Sequence, residues 1–177
     1  LKQKAFDNTF WAFNLLKETP LEMASEMDDD LDGKLDRRVR IEYRDRGKFE
    51  AQLQVANDLL IFQMHTDVFE FDANHLVWQT PYVQADRENS YCGVVNIYNF
   101  LSDSFKFNRN ADEGYLIGRI FINRERRYFA EGKQQRSMRA ERFGEAEIDR
   151  EALVAILEEA IGFSLNFDLL PRSTQFI

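Results

Sequence analysis

The sequence predicts an α+β fold, with N-terminal helices, an antiparallel meander of about six to eight strands and a long C-terminal helix packed on the sheet. Three observations predict it. Apolar residues recur every three or four positions in the first and last segments. In the middle they alternate with polar ones, as in half-buried strands. The breaks between those alternating runs are hairpin-length, too short for parallel crossovers.

The first helix is marked by Phe6, Phe10, Phe13 and Leu16, with Trp11 and Leu15 widening the stripe. Thr19-Pro20-Leu21-Glu22 reads as a stop and restart, because Thr caps, Pro suits the first helical position and Glu completes a capping box. A separate short helix over residues 20–27 is therefore expected, followed by an acidic loop over 28–36.

After that loop the period changes to two. Val39, Ile41 and Tyr43 alternate with charged residues, Asp45-Arg46-Gly47-Lys48 forms a turn, and Phe49, Ala51, Leu53 and Val55 alternate with Glu50, Gln52 and Gln54. This is the clearest hairpin in the chain. Residues 59–64 form a continuous apolar run suited to a central strand. Residues 68–71 and 75–78 read as short strands about a turn at 72–74, and 81–90 as polar loop. A long strand is expected over 91–101, extended by Phe105 and Phe107. Gly93 within it predicts a bulge or the close approach of another backbone. A last hairpin follows over 115–122 and 127–131, then a polar, mobile stretch over 133–147. Asp149 caps the closing helix, whose stripe is Leu153, Ile156, Leu157, Ala160 and Ile161, ending before Pro171.

A length of 177 residues suits a single domain over 1–177. A chain of this size buries roughly 70% of its unfolded surface, so it needs neither disulfide nor metal to hold a core. Hydrophobic residues make up 44% and there are 16 Phe, which excludes a disordered class. A single cysteine, Cys92, excludes an internal disulfide and fits a reducing, cytoplasmic setting. No apolar run approaches the ~20 residues that cross a bilayer. The net charge of −8 argues against non-specific nucleic-acid binding by the whole surface.

Four constellations bear on chemistry. Asp28, Asp30, Asp32, Gly33 and Asp36 match the first half of an EF-hand-type loop, in which alternating carboxylates turn to one divalent cation about a glycine. Position twelve, however, is Val39 rather than a bidentate Glu. An acidic linker is the simpler reading, and no cofactor beyond a weakly held divalent cation is expected. His65 and Asp67 share a face if their strand is continuous, and could form an acid–base pair, with His75 joining from across a turn. Two His and one Cys are too few for a zinc signature. Cys92 lacks a neighbour that would activate it.

The fourth constellation is the basic stretch 119–142, with eight basic residues against three acidic ones. Arg119, Arg124, Arg126, Arg127 and Lys133 lie near Tyr128 and Phe129, a combination able to recognise phosphates or bases. An ordinary charged surface is the alternative.

Phe62, Phe69, Phe71, Trp78, Tyr98 and Phe100 are expected on the sheet's inner face, as packed core or as the lining of an apolar cavity. The other face would be solvated, curled into a half-barrel or buried in a homodimer. The element order resembles that of helix-grip ligand-binding folds and small dimeric secretion chaperones, a likeness of order that implies no function. The leading expectation is a non-enzymatic domain that binds a small molecule or a protein partner. A small His/Asp enzyme and an anion or nucleic-acid binder acting through 119–142 are the alternatives.

Overall fold

Two helices and an irregular strap hold a six-stranded antiparallel sheet between them. The computed structural model describes residues 2–31, 41–101, 114–132, 135 and 138–169, the side chains at 21–31, 101 and 166–169 excepted. Helix α1 spans Lys2–Leu31. Strands β1 (Ile41–Asp45), β2 (Glu50–Val55) and β3 (Asp58–Met64) precede a short helix α2 (Pro81–Ala85). Strands β4 (Cys92–Leu101), β5 (Tyr115–Asn123) and β6 (Tyr128–Gly132) lead to helix α3 (Arg150–Leu169). The strands lie in sequence order, β1 to β6, every pair antiparallel. The predicted α+β meander is therefore present, with six strands.

Helix α1 differs from its prediction. It does not stop at Thr19-Pro20 but runs through both. Proline has no N–H, so the carbonyl four residues back, that of Leu16, loses its helical donor. The Thr19 hydroxyl supplies a replacement, donating to the Leu16 carbonyl at 2.7 Å. Good helix formers after Pro20 then carry the helix to Leu31. Asp28 and Asp30 consequently lie in its last turn rather than in a loop, while Asp32 and Asp36 lie outside the described residues.

The sheet is covered on both sides. On one face Leu53, Leu60, Phe62, Ile97, Ile120 and Ile122 are buried beneath α1 and α3, which also pack on each other. The expected α3 stripe of Leu153, Ile156, Leu157, Ala160 and Ile161 is entirely buried, and the Asp149 carboxylate accepts from the Ala152 N–H at 2.8 Å as its cap. What approaches Gly93 closely is a side chain of helix α1, that of Thr9, rather than another backbone. A Cβ added there would lie 2.1 Å from Thr9 Oγ1. The bulge lies elsewhere, where the β4–β5 register shifts between Ile97 and Tyr98.

The opposite face of β4–β6 is covered by the segment joining β3 to β4. Its residues 68–71 and 75–78 are not the two expected strands. Phe69 makes one isolated bridge to Cys92, and Leu76–Gln79 is a 3-10 turn. The stretch 81–90 is α2 followed by a second 3-10 turn, Arg87–Ser90, rather than plain loop. Thr80 and Asp86 cap these two turns. Phe69 and Phe71 pack against Phe121, at centroid distances of 5.1 and 4.9 Å, and Phe121 stacks on Phe129 at 4.8 Å. Phe129 meets Phe143 at 4.9 Å. Phe143, Met138 and Ala140 are buried, so the described part of 133–147 joins the core through its apolar residues.

The inner-face expectation divides accordingly. Phe62 is under the helices, Phe69, Phe71 and Trp78 belong to the strap, and Tyr98 alternates onto the strap face. Phe100 shares that register. Arg127 lies outside β6 and bridges Glu147. Phe105, Phe107 and Lys133 are outside the described residues. No described helix is long and apolar enough to cross a membrane.

Two substitutions test this account of α1. Thr19 is 1% exposed, so Thr19→Val keeps the shape but leaves the Leu16 carbonyl without a donor. It is expected to cost about 1–2 kcal/mol in urea denaturation; an unchanged midpoint would refute the role. Gly93→Ala drives a methyl into Thr9 and should cost about 2–3 kcal/mol, read as a lower thermal midpoint.

Candidate functional site

Cross-strand partners share a face of a sheet. The registers Glu50↔Gln63, Gln63↔Asn96, Asn96↔Arg119 and Arg119↔Glu131 therefore align five polar residues across β2 to β6 on the strap face. Apolar residues flank this row, for example Val94↔Phe121↔Phe129 on one side. The strap crosses β4–β6 beside the row and leaves an open cleft of about 380 Å3. His65, Asp67, Val68, Phe69 and Glu70 form its wall, and Val94, Asn96 and Arg119 its floor.

Three sequence-predicted residues thus meet here: His65, Asp67 and Arg119. They do not form the expected acid–base pair. Among the described residues no hydrogen bond joins His65 to Asp67. Instead Asn96 Nδ2 donates to His65 Nε2 at 2.7 Å and to the Tyr98 hydroxyl at 3.2 Å. Nε2 is then an acceptor, which puts the proton of the neutral ring on Nδ1. Asn96 is only 6% exposed, and its Oδ1 has no hydrogen-bond partner among the described residues. A buried amide oxygen without a donor is costly in a folded protein.

Arg119 is half-buried, with its guanidinium 5.7 Å from the centre of the Phe69 ring. It has no ion pair among the described residues, although Glu131 lies directly across from it. Glu131 is engaged elsewhere, its carboxylate taking the His75 Nε2–H at 2.6 Å. His75 Nδ1 accepts from the Val77 N–H at 2.9 Å, so this histidine caps a 3-10 turn. It lines a separate pocket with Glu131, Gln135 and Arg139 and does not join His65.

The other predicted arginines have structural work. Arg124 reaches Asp86 at 2.8 Å, Glu88 at 3.1 Å and the Asn89 side chain at 3.0 Å, tying the β5–β6 turn to the strap. Arg126 lies 3.8 Å over the Trp11 ring and donates to Asn8 Oδ1. It does so with φ of +58°, a left-handed conformation that a non-glycine residue adopts at a cost. Arg127 is half-buried and carries no ion pair among the described residues. Among the described residues, Arg119, Arg124 and Arg126 therefore occupy separate environments. Buried Asn123 organises the same turn, accepting from the Glu125 and Arg127 N–H groups and donating to the Tyr82 hydroxyl.

Cys92 is fully buried, and burial pushes its thiol far above the usual range. No group of three or more metal-binding side chains occurs among the described residues. Asn96 went unnoticed in the sequence, and its signal was a single amide in the apolar strand run Val94-Val95-Asn96-Ile97. Glu70 offered no such signal.

A scan against protein-family models found no match, and searches of curated proteins and of solved structures returned no significant match.

The Asn123 turn has a pH signature. Burial first, and the Glu125 carboxylate second, push the Tyr82 hydroxyl up to about 12. The fold thus favours the neutral phenol. Its stabilisation is complete below about pH 10, the ordinary tyrosine value, and is lost as pH rises from about 10 to 12. Tyr82→Phe should flatten part of the decline in melting temperature across that window. An identical decline in the variant would contradict the assignment.

Proposed function

We propose that the protein is a non-enzymatic binding domain, and that its working site is the cleft over β4 and β5, which receives a small molecule bearing a carboxylate or phosphate. The observation that carries this reading is Arg119. Its guanidinium is half-buried and braced on Phe69, yet faces the cleft without a carboxylate partner among the described residues. Such a group is ready to make charge-assisted hydrogen bonds to an anionic oxygen. The cleft also has the mixture that small-ligand sites use, apolar walls with a few fixed polar groups. Val68, Phe69 and Val94 supply the first, Asn96 and Arg119 the second.

Binding is favoured over catalysis by the state of the chemical groups. The Nε2 lone pair of His65 is already taken by an amide N–H, so it is not free to accept a proton from a substrate at that atom. Cys92 is sealed in the core with its thiol protonated. Binding of nucleic acid through 119–142 is disfavoured because Arg124 and Arg126 are committed to the strap and to α1.

The test is a titration of the 15N-labelled chain with 4-methylpentanoate, whose branched tail suits the apolar wall. The Arg119 Nε–H and Asn96 side-chain amide signals should shift together. Arg119→Gln should weaken binding at least about tenfold, the loss of one charge-assisted interaction. Unmoved signals in the wild type, or unchanged affinity in the variant, would remove the basis for this reading.

A further inference from the structure

The charge in the cleft suits an anionic group accompanied by a positive one. Asp67 and Glu70 are both exposed on its wall, and neither has an ion pair among the described residues. The two carboxylates on the rim face the single guanidinium of Arg119 on the floor. A plain carboxylate on Arg119 is therefore held less tightly than one whose molecule also brings a positive charge.

Each feature is answered by one kind of ligand. A carboxylate satisfies Arg119. A cationic ammonium offsets Asp67 and Glu70. A short branched apolar group fits Val68, Phe69 and Val94.

We infer that the cleft binds a zwitterionic α-amino acid with an apolar side chain, its carboxylate on Arg119 and its ammonium at the acidic pair Asp67 and Glu70. This rests on the reading of the cleft as a binding site and goes on to specify the ligand.

Leucine and two truncated analogues separate this inference from the reading beneath it. 4-Methylpentanoate lacks the ammonium, and 3-methylbutylamine lacks the carboxylate. The full chain is titrated with all three by calorimetry and by side-chain amide shifts. Leucine should bind at least about tenfold more tightly than either analogue. The variant carrying both Asp67→Asn and Glu70→Gln, two exposed and conservative changes, should lose most of that advantage over 4-methylpentanoate and still bind the acid. Equal binding of leucine and 4-methylpentanoate would overturn the zwitterion and leave the cleft standing as an anion site. The amine binding as well as leucine would overturn the role of Arg119. An undiminished leucine advantage in the double variant would overturn the role of the acidic pair. If none of the three binds, both the inference and the underlying reading fail.

Discussion

The structure depends on the need to bury both faces of one sheet. Strands β4 and β5 carry apolar residues on each side, Ile97, Ile120 and Ile122 toward the helices and Val94 and Phe121 toward the strap. Two helices suffice for the first face. Among the described residues the second has no helix of comparable length; the β3–β4 connection is stretched across it and anchored by the packed rings of Phe69, Phe71, Phe121 and Phe129. Aromatic pairs of this kind add specific geometry to the area they bury. The strap's path places His65, Asp67 and Glu70 beside the polar row and puts the Phe69 ring under Arg119. The cleft is thus a by-product of how the second face is covered.

The same economy explains why Arg119 is available. Its cross-strand neighbour Glu131 would ordinarily neutralise it, but His75 takes that carboxylate while also capping the turn over Leu76–Gln79. Arg124 and Arg126, close by in sequence, are drawn to the strap and to Trp11. Four basic side chains that look equivalent along the chain have separate environments once the β5–β6 turn is formed.

The sequence made most of the fold legible. Strict alternation located β2, periodicity located α3 and its buried stripe, and Asp149 marked where that helix begins. The failures have common physical causes. Pro20 looked like a boundary because a side-chain hydroxyl can replace a missing backbone donor, and local rules do not anticipate that exchange. Residues 68–71 resembled a strand because aromatic and β-branched residues suit any flat apolar surface, whether they pair within a sheet or lie across one. Of the site, His65, Asp67 and Arg119 stood out as residue types. Their meeting was invisible, because it is fixed by the register of five strands, and register is a property of pairings between distant segments. Glu131 and Asn96 acquire meaning only through that alignment.

The strap also has a consequence for the order of assembly. The β1–β2, β2–β3 and β5–β6 ladders join neighbours in sequence through tight turns, and can zip locally. Pairing of β3 with β4 must first close the long connection over residues 65–91, which carries a larger entropic cost. One wall of the cleft is made of that connection, and most of its anchoring is through side chains rather than ladder hydrogen bonds. Such segments open at lower free energy than the sheets they cover. The strap can therefore lift from β5 and β6 while the strands remain paired, so the cleft can come apart and re-form without unfolding the protein. A molecule held against Arg119 would bridge strap and sheet and strengthen that seam.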